Sequence, residues 1–365
     1  MNGSLSLGDG PWVVIKKRRV LNLAGGDILG LRYDKDFMNF LYQNLKGENI
    51  SFKVPFQLVD PDQLWLPPEF PNSMGFEAGI AGRSTEGLMT SVLEILQNDS
   101  PVLADEHLDP ALRGILLLSP RTLLFPHNSP AKLEEIITKK ELKKPVIITQ
   151  TLFPYSSEFS PLKDLSEICK RHEGTLIIYE SWADGVIDFK QIASLNPKSI
   201  SHKILVIGDF SHILPFSCSY LLSERSFLEN FVQNSSCLRS LPQPSSFHLK
   251  TLLWFLEKMR KGEKGLLQRL NDNANYLRYE LLSRGLKVSG DFTPYIPVIV
   301  GNKRIAQNFK ASLIENGVLA SEVSYPLVPI DKSRILLIPS VLHTKDDLDF
   351  AIQKIIEVAK FLNLI

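Results

Sequence analysis

The chain has 365 residues, of which 44% are hydrophobic and 22% charged, and its 41 basic and 40 acidic residues give a formal net charge of +1. This length is too great for one small core and predicts two domains, or one large domain with a smaller partner. The charge balance excludes the strong field that attracts a nucleic acid or an anionic membrane, so we expect neither as a partner.

No targeting or membrane-spanning segment is predicted. The first ten residues contain no apolar run long enough for a signal peptide, and no stretch approaches the length of a membrane span, so we expect a cytoplasmic protein. The basic cluster at 16–19 lies among Val and Ile, which favours a solvated strand end over a nucleic-acid contact. Cys169, Cys218 and Cys237 form no CxxC pair, so neither a disulfide framework nor a metal site is indicated.

Helices and strands alternate through the first part of the chain. The apolar pattern predicts helices at 86–97, 130–139 and 161–172, and strands at 102–104, 145–149, 175–179 and 204–207. The last three strands are rich in Ile and Val, as buried strands are. This alternation predicts parallel strands with covering helices.

Two long helices follow at 247–260 and 265–282, interrupted near Gly262. The remaining pattern predicts strands at 286–288, 296–300, 319–323 and 335–338, with helices at 303–316 and 345–362. A Pro- and Ser-rich stretch at 241–246 is the best candidate for a boundary region. We therefore predict an N-terminal segment that packs with the small domain, a large sheet domain, connecting helices, and a small C-terminal α/β domain, over 1–48, 49–245, 246–284 and 285–365.

Six short motifs occur in one order over roughly 300 residues. They are Asp27-Ile-Leu-Gly-Leu31, Phe125-Pro-His-Asn128, Val146-Ile-Ile-Thr-Gln-Thr-Leu-Phe153 with Phe159-Ser-Pro-Leu162, Leu176-Ile-Ile-Tyr-Glu-Ser-Trp-Ala-Asp-Gly-Val186, Arg239-Ser-Leu-Pro-Gln-Pro244, and Ser333-Arg-Ile-Leu-Leu-Ile-Pro-Ser340 with His343. In this order they resemble motifs of the α-oxoamine synthase family, which includes 8-amino-7-oxononanoate synthase, glycine C-acetyltransferase, 5-aminolevulinate synthase and serine palmitoyltransferase.

The resemblance implies a fold and a cofactor. The fold would be α/β and aspartate-aminotransferase-like (fold type I), with a mostly parallel sheet in the large domain and a smaller C-terminal α/β domain. The cofactor would be pyridoxal phosphate, and the family's active sites lie at the interface of a homodimer.

The position of the family's cofactor lysine is occupied by a histidine. The family forms its internal aldimine on the lysine of a Ser/Gly-Lys pair, and the corresponding pair is Ser211-His212. Imidazole cannot form an imine, and Lys203, nine positions upstream, lies about 30 Å away along a strand with ~3.3 Å per residue. Either His212 is a replacement acid, base or ligand contact, or it reflects drift after the lysine lost its role. Asp209 falls in the same cofactor-binding stretch by the resemblance.

Three further cofactor positions are altered. The aspartate that keeps the pyridine nitrogen protonated is replaced by Tyr179, whose phenol is neutral at physiological pH. Glu180 is a poor substitute because it points to the opposite face of the strand. Trp182 stands at the following histidine, and the two aromatic side chains either fill the vacated volume or block the pocket. The family's ring-stacking histidine falls near Asp109, with His107 two residues away.

The anion-binding positions are altered as well. The substrate carboxylate is gripped in the family by the second Arg of Arg-Leu-Arg, and this chain has Arg334 at the first position but Leu336 at the second. The phosphate-binding segment corresponds to 82–85, which is either an anion-binding helix N-terminus or an ordinary capped helix.

Three hypotheses follow from these replacements. The first is an 8-amino-7-oxononanoate synthase-like protein that is catalytically degenerate and acts as a binding or partner subunit, as a homodimer or as a heterodimer with a lysine-bearing homologue. Pyridoxal phosphate would then be held without a covalent bond, or absent. The second is an active pyridoxal-phosphate-dependent acyltransferase that condenses an amino acid with an acyl-CoA through an unrecognised lysine or a loosely held external aldimine. The third is a remodelled pocket that binds another small anion.

Overall fold

The computed structural model forms two compact units and describes residues 5–7, 10–47, 64–96, 100–183, 185–186, 190–195, 197, 203–260 and 264–365. The large unit comprises 40–153 and 159–261, and the small unit comprises 1–39, 154–158 and 262–365. The predicted connecting segment at 246–284 is therefore divided between the two units, and its predicted interruption at Gly262 lies outside the described residues. The predicted domain bounds themselves stay predictions.

Helices and strands alternate in the large unit. Its helices are α1 (Lys35–Gly47, which begins in the small unit), α2 (Glu69–Ser73), α3 (Thr85–Leu96), α4 (Pro110–Leu116), α5 (Pro130–Lys139), α6 (Leu162–Arg171), α7 (Lys190–Ala193), α8 (Arg225–Asn234), α9 (Ser236–Ser240) and α10 (Ser246–Arg260). Its strands are β4 (Ala78–Gly82), β5 (Val102–Asp105), β6 (Thr122–Phe125), β7 (Val146–Gln150), β8 (Leu152–Phe153), β10 (Thr175–Glu180), β11 (Lys203–Asp209) and β12 (Ser219–Ser223), while β9 (Glu158–Phe159) spans a unit boundary.

Seven of these strands form one sheet in the order β4-β12-β11-β10-β7-β5-β6. Only β12 runs antiparallel to its neighbours among the described strands of this sheet, so the predicted mostly parallel α/β architecture is confirmed. The central strands are buried on both faces, because helices cover each side and the Ile and Val side chains pack against them. Parallel pairing places the carboxyl ends of β5, β7, β10 and β11 at one edge, where ligands bind in such sheets.

Glycine is required near the end of β11. A Cβ atom added at Gly208 would lie 2.1 Å from the ring of Tyr220, which is fully buried on the neighbouring strand β12. The absence of a side chain at Gly208 therefore lets the Tyr220 ring cross the strand close to the segment that carries Asp209 and His212.

The small unit has its own core. Its strands are β1 (Leu5–Leu7), β2 (Trp12–Ile15), β3 (Arg18–Asn22), β13 (Ile296–Gly301), β14 (Val318–Leu319), β15 (Ser321–Val323) and β16 (Ser333–Leu337), and its helices are α11 (Lys264–Ser283), α12 (Lys303–Glu315) and α13 (Lys345–Phe361). The strands form two sheets, β1-β2-β3-β14 and β13-β16-β15. Buried side chains of all three helices, including Leu277, Phe309 and Ile352, pack into one apolar cluster.

Most predicted elements are confirmed, with shifts of one or two residues at their ends. The predicted strand at 286–288 is wrong, since only an isolated bridge joins Val288 to Val298 there. The predicted strand at 319–323 is divided into β14 and β15 around Ala320. The basic cluster at 16–19 lies at the tip of the β2–β3 hairpin with exposed side chains, as expected of solvated strand ends.

Candidate functional site

The predicted cofactor residues of the large unit lie at the carboxyl ends of its parallel strands. His107 and Asp109 follow β5, Tyr179 and Trp182 lie at and beyond the end of β10, and Asp209, Ser211 and His212 lie at and beyond the end of β11. In register, Glu180 of β10 pairs with Gly208 of β11, which brings the segments after these two strands side by side.

The residue at the lysine position is covered by an aromatic ring. The imidazole of His212 stacks on the indole of Trp182 with ring centroids 3.8 Å apart and planes inclined by 30°. Burial lowers the pKa of His212, while the carboxylates of Asp209 and Asp109 act in the opposite direction. The stack therefore holds a partly desolvated imidazole with two acidic groups within electrostatic reach.

Asp209 organises the loop that carries His212. Its Oδ1 accepts a hydrogen bond from the backbone N–H of Ser211, and its Oδ2 accepts from the hydroxyls of Ser217 and Ser219 at 2.7 and 2.8 Å. The Asp209 side chain is buried, whereas Ser211 is exposed. These bonds from the loop and from the start of β12 satisfy the buried carboxylate without a bound ligand.

Lys203, the described lysine of β11 itself, does not reach the position of His212. Lys203 is the first residue of β11, at the end opposite His212, and its ammonium lies 4.5 Å above the ring of Phe227. The ammonium is thus held by a cation–π contact away from the carboxyl edge of the sheet.

Tyr179, predicted at the position of the pyridine-nitrogen partner, has a buried phenol. The side chain is 7% exposed, and burial is the main reason that its pKa is raised. The carboxylates of Asp109 and Asp209 raise this pKa further, and hydrogen bonds with the hydroxyls of Ser181 and Thr85 oppose the shift. The phenol remains neutral over the physiological pH range and cannot pair with a protonated pyridine as a carboxylate does.

Glu180 lies on the opposite face of β10 from Tyr179, as predicted from strand alternation. It is 2% exposed, and its Oε2 has no hydrogen-bond partner among the described residues. Burial raises the pKa of this carboxyl to about 8, with the Thr151 hydroxyl acting in the opposite direction. Glu180 is therefore a buried acid that keeps its proton at neutral pH.

Sequence reasoning missed a second histidine that belongs with His107. The two imidazoles of His107 and His127 stack with centroids 4.2 Å apart, and His127 also meets the edge of Phe153. The buried carboxylate of Asp105 lies 2.9 Å from Nδ1 of His127 and accepts a hydrogen bond from the backbone N–H of His107. The motif Phe125-Pro-His-Asn128 contained this residue, but its partner on the preceding strand could not be read from the motif alone.

Asp109 caps a helix. Its side chain accepts a hydrogen bond from the backbone N–H of Ala111 at 2.9 Å, and its own backbone N–H donates to Gln150 Oε1 at 3.0 Å. Asp109, which the resemblance places near the ring-stacking histidine, is thus committed to the N-terminus of α4.

The start of α3 is an internally capped helix. Ser84 Oγ accepts from the backbone N–H of Gly87 at 3.1 Å and donates to the carboxylate of Glu86 at 2.6 Å. An acidic side chain in the first turn already complements the positive end of the helix.

In the small unit, the two carboxylate-clamp positions are both buried in β16. The Arg334 guanidinium donates to the carbonyl oxygens of Lys332 and Tyr155 at 3.0 and 2.9 Å. Burial lowers its pKa, and Glu158 opposes this change. Leu336 is 2% exposed and belongs to the apolar interior. The Arg334 guanidinium is therefore engaged by backbone carbonyl groups of its own unit.

These residues do not fit covalently held pyridoxal phosphate. At the positions that the resemblance assigns to the imine-forming amine and to the ring-nitrogen partner, this chain has the imidazole of His212, stacked on Trp182, and the neutral phenol of Tyr179. Within the described residues, no cluster of three or more His, Cys, Asp or Glu side chains is arranged to hold a metal ion. A search of the same residues finds no helix with the length and apolar character of a membrane span.

Comparison with known proteins identifies the relatives of this chain. The family model for aminotransferases of class I and II matches residues 124–355. The 8-amino-7-oxononanoate synthases of Thermosipho melanesiensis and Coprothermobacter proteolyticus are each 23% identical, over 98% of this chain and 92% of their own length. The resemblance to the α-oxoamine synthases is thereby confirmed.

Solved structures share the fold. A lysine-to-alanine variant of serine palmitoyltransferase from S. paucimobilis, with a bound PLP–myriocin aldimine, has a TM-score of 0.85 and 16% identity, covering 100% of this chain and 93% of its own. The 8-amino-7-oxononanoate synthase of Francisella tularensis has a TM-score of 0.77 and 17% identity, covering 95% and 99%. The predicted fold type I architecture is confirmed.

Proposed function

Because the chain belongs to the family of class I and II aminotransferases, we propose that it is an 8-amino-7-oxononanoate synthase-like protein that has lost imine chemistry and acts as a binding or partner subunit. The observation that carries this proposal is the stack of Trp182 on His212. It supports the loss of the lysine and the use of the vacated space by a side chain of the protein itself.

Two neighbouring features support the same proposal. The Tyr179 phenol lies within electrostatic reach of the carboxylates of Asp109 and Asp209. These two carboxylates therefore act on a side chain of the protein itself. Both acids are also committed locally, Asp109 to the start of α4 and Asp209 to Ser217 and Ser219. A site under selection for bound pyridoxal phosphate would leave one carboxylate available for the ring nitrogen.

The partner is either a second copy of this chain or a lysine-bearing homologue, and we place the assembly in the cytoplasm. The chain is purified alone and in a mixture with an α-oxoamine synthase that carries the lysine, and the molar masses are compared by light scattering. A stable heterodimer, together with no borohydride-fixed pyridoxal phosphate on this chain, is the expected result. A homodimer that becomes covalently labelled on this chain contradicts the proposal.

One comparison favours a second candidate function. The serine palmitoyltransferase variant with lysine replaced by alanine is described with a bound PLP–myriocin aldimine. A chain of this fold could likewise hold pyridoxal phosphate as an aldimine of an amino acid and act as an acyltransferase. Release of CoA from an acyl-CoA in the presence of glycine or alanine, dependent on added pyridoxal phosphate, tests this candidate. No release across a panel of such pairs rejects it.

A further inference from the structure

The β2–β3 hairpin of the small unit ends in four consecutive basic residues, Lys16, Lys17, Arg18 and Arg19, and we call this segment the basic tip. All four side chains are exposed, and none forms an ion pair with a residue that the structure describes. The Arg19 guanidinium lies 4.8 Å above the ring of Trp12 instead. The basic tip is therefore a local excess of positive charge on a chain whose formal net charge is only +1.

Lys16 and Lys17 close the hairpin in an unusual backbone conformation. The pairing of Ile15 with Arg18 leaves a two-residue loop, and its residues have φ angles of 47° and 65°. A type I′ turn requires positive φ at both positions and favours Asn-Gly or Asp-Gly, whereas a lysine is sterically strained there. Residues held in such strained conformations cluster at functional sites. Because Asn-Gly would close this hairpin with less strain, we attribute the lysine pair to its two charges.

The strand that follows the basic tip also has an open edge. Strand β14 pairs with β3 only at Leu21 and Asn22, and no described strand continues this pairing toward the tip. The backbone N–H groups of Leu21 and Leu23 donate to carbonyl oxygens on the β14 side. Alternate residues of a strand direct their N–H and C=O groups to the same side, so Arg19 presents its own pair in line with these. An extended chain can add to such an edge through backbone hydrogen bonds.

The acidic side chain that contacts this hairpin is already engaged. The Asp347 carboxylate accepts hydrogen bonds from Nε1 of Trp12 at 3.0 Å and from the hydroxyl of Thr344 at 2.8 Å. It also completes the cap at the start of α13. Asp347 therefore holds the base of the hairpin and leaves the charges of the basic tip to a partner.

These charges decide which molecule fits the edge. A second copy of the hairpin would bring like charges together, and basic side chains at an edge oppose pairing of that kind. A nucleic acid is attracted by an extended basic surface, whereas this chain has 41 basic and 40 acidic residues. An anionic membrane takes up exposed apolar side chains beside the charges, but those of the hairpin are buried at Val13 and Val20 and half-buried at Val14 and Ile15. An acidic polypeptide offers carboxylates to the tip and a backbone to the edge.

We propose that the basic tip and the adjoining edge of β3 bind an extended acidic segment of another protein. The backbone of that segment pairs with Arg19, and its carboxylates meet the side chains of Lys16, Lys17 and Arg18. Alternate side chains of an extended segment point the same way, so acidic residues at every second position fit this surface best. The proposal goes beyond the proposed function, because it requires neither the loss of the amine nor a homologous partner.

The test measures the binding of fluorescein-labelled octapeptides to the purified full chain by fluorescence anisotropy. A peptide of alternating Glu and Thr is expected to bind saturably. A peptide of alternating Gln and Thr lacks the carboxylates, and a peptide of alternating Glu and Pro keeps them but disfavours a β-ladder. Each of these two is expected to bind at least about tenfold more weakly.

A double variant of the turn tests the location. Lys16→Asn with Lys17→Gly removes two charges of the basic tip and supplies the residue pair that a type I′ turn favours, so the hairpin is expected to fold at least as well as in the wild type. We expect this variant to bind the Glu–Thr peptide about tenfold more weakly. The matched control, Lys163→Gln with Lys170→Gln, removes two exposed charges from α6 and leaves the affinity unchanged.

Equal binding of the Glu–Thr and Gln–Thr peptides, or unchanged affinity of the turn variant, overturns the proposal. Equal binding of the Glu–Pro peptide overturns the pairing with the edge of β3. Tighter binding of a single-stranded oligonucleotide, or of vesicles that contain phosphatidylserine, also overturns the proposal and identifies a different class of partner. Borohydride labelling of the chain is a separate readout, so failure of this proposal is distinguishable from failure of the proposed function.

Discussion

The indole of Trp182 lies 3.8 Å from the imidazole of His212, centroid to centroid, at the carboxyl edge of the parallel sheet. By the family resemblance, each of these residues stands at the position of a cofactor residue of the α-oxoamine synthases. In this chain the two side chains contact each other, so a substitution at either position alters the surroundings of the other.

Restoring the amine alone is expected to restore little. In His212→Lys an amine stands at the end of β11, but the indole of Trp182 still covers it. We expect no borohydride-fixed pyridoxal phosphate on the wild-type peptide that contains residue 212, a low yield for His212→Lys, and a higher yield when Trp182→His is added. Mass spectrometry of that peptide provides the measurement.

Arg304→Lys is the control for this labelling, because it creates an exposed lysine remote in sequence from the site. Equal labelling of Arg304→Lys and the double variant would mean that the adduct is non-specific. A strong adduct in the single variant His212→Lys would contradict the role assigned to Trp182.

Tyr179→Asp is expected to destabilise the protein, although it introduces the residue that the resemblance implies at this position. The side chain is 7% exposed, and the introduced carboxylate meets the charges of Asp109 and Asp209. An unpaired buried charge near two like charges lowers the free energy of unfolding by about 3 kcal/mol. Urea unfolding at pH 7 measures this effect. Tyr179→Phe, which removes only the hydroxyl, is expected to lower the free energy of unfolding by about 1 kcal/mol. Equal stability of the two variants would contradict the argument.

The central sheet was predictable because its signal is local. The Ile- and Val-rich runs of β7, β10 and β11 are buried on both faces and identify themselves by composition. Strand β4 was not predicted, because Ala78–Gly82 is made largely of small residues. Its strand character depends on pairing with β12, which is a tertiary effect.

The candidate site was predictable in position but not in its contacts. The residues aligned with the cofactor positions lie at the carboxyl edge because strand order places them there. The stacking of His107 on His127 joins residues that follow two different strands, and no local pattern encodes such a contact. Likewise, the capping role of Asp109 depends on a helix that begins at Pro110, and the family resemblance did not indicate this role.

Glu180 is expected to make stability fall as the pH rises. Its folded-state pKa is raised from 4.5 to about 8 by burial, so the unfolded chain releases this proton first. The protonated Glu180 carboxyl makes its full contribution to the free energy of unfolding below pH 4.5. This contribution, on the order of 1–4 kcal/mol in total, is lost as the pH rises through about 8. Glu180→Gln removes this titrating group. The free energy of unfolding of the variant relative to wild type, measured in urea, should therefore increase from pH 5 to pH 8. Glu167→Gln, at an exposed site of α6, is the control.

A pH-independent difference between Glu180→Gln and wild type would contradict this assignment. It would mean that the carboxyl ionises in the folded state as readily as in the unfolded chain. A growing difference in Glu167→Gln as well would instead indicate a general charge effect on the large unit.

His343 is expected to give the opposite dependence in the small unit. It is 1% exposed, its Nδ1 accepts a hydrogen bond from the backbone N–H of Ser340 at 3.0 Å, and burial lowers its pKa from 6.5 to about 4. As the pH falls, the unfolded chain binds the proton first. The stabilisation is therefore complete above pH 6.5 and decreases by about 3 kcal/mol on reaching pH 4.

His343→Gln keeps a carbonyl oxygen that can accept from Ser340 but does not titrate. At pH 7 we expect it to be less stable than wild type by about 1–2 kcal/mol, because packing around a buried ring is lost. Between pH 6.5 and pH 4 this difference should shrink and then change sign, since only the wild type loses stability through this group. Urea unfolding at closely spaced pH values gives the difference directly. The prediction rests on the burial of His343 and on its acceptor role toward Ser340. A constant difference in the free energy of unfolding over this range would contradict it, because His343 would then titrate in the folded state near its ordinary pKa.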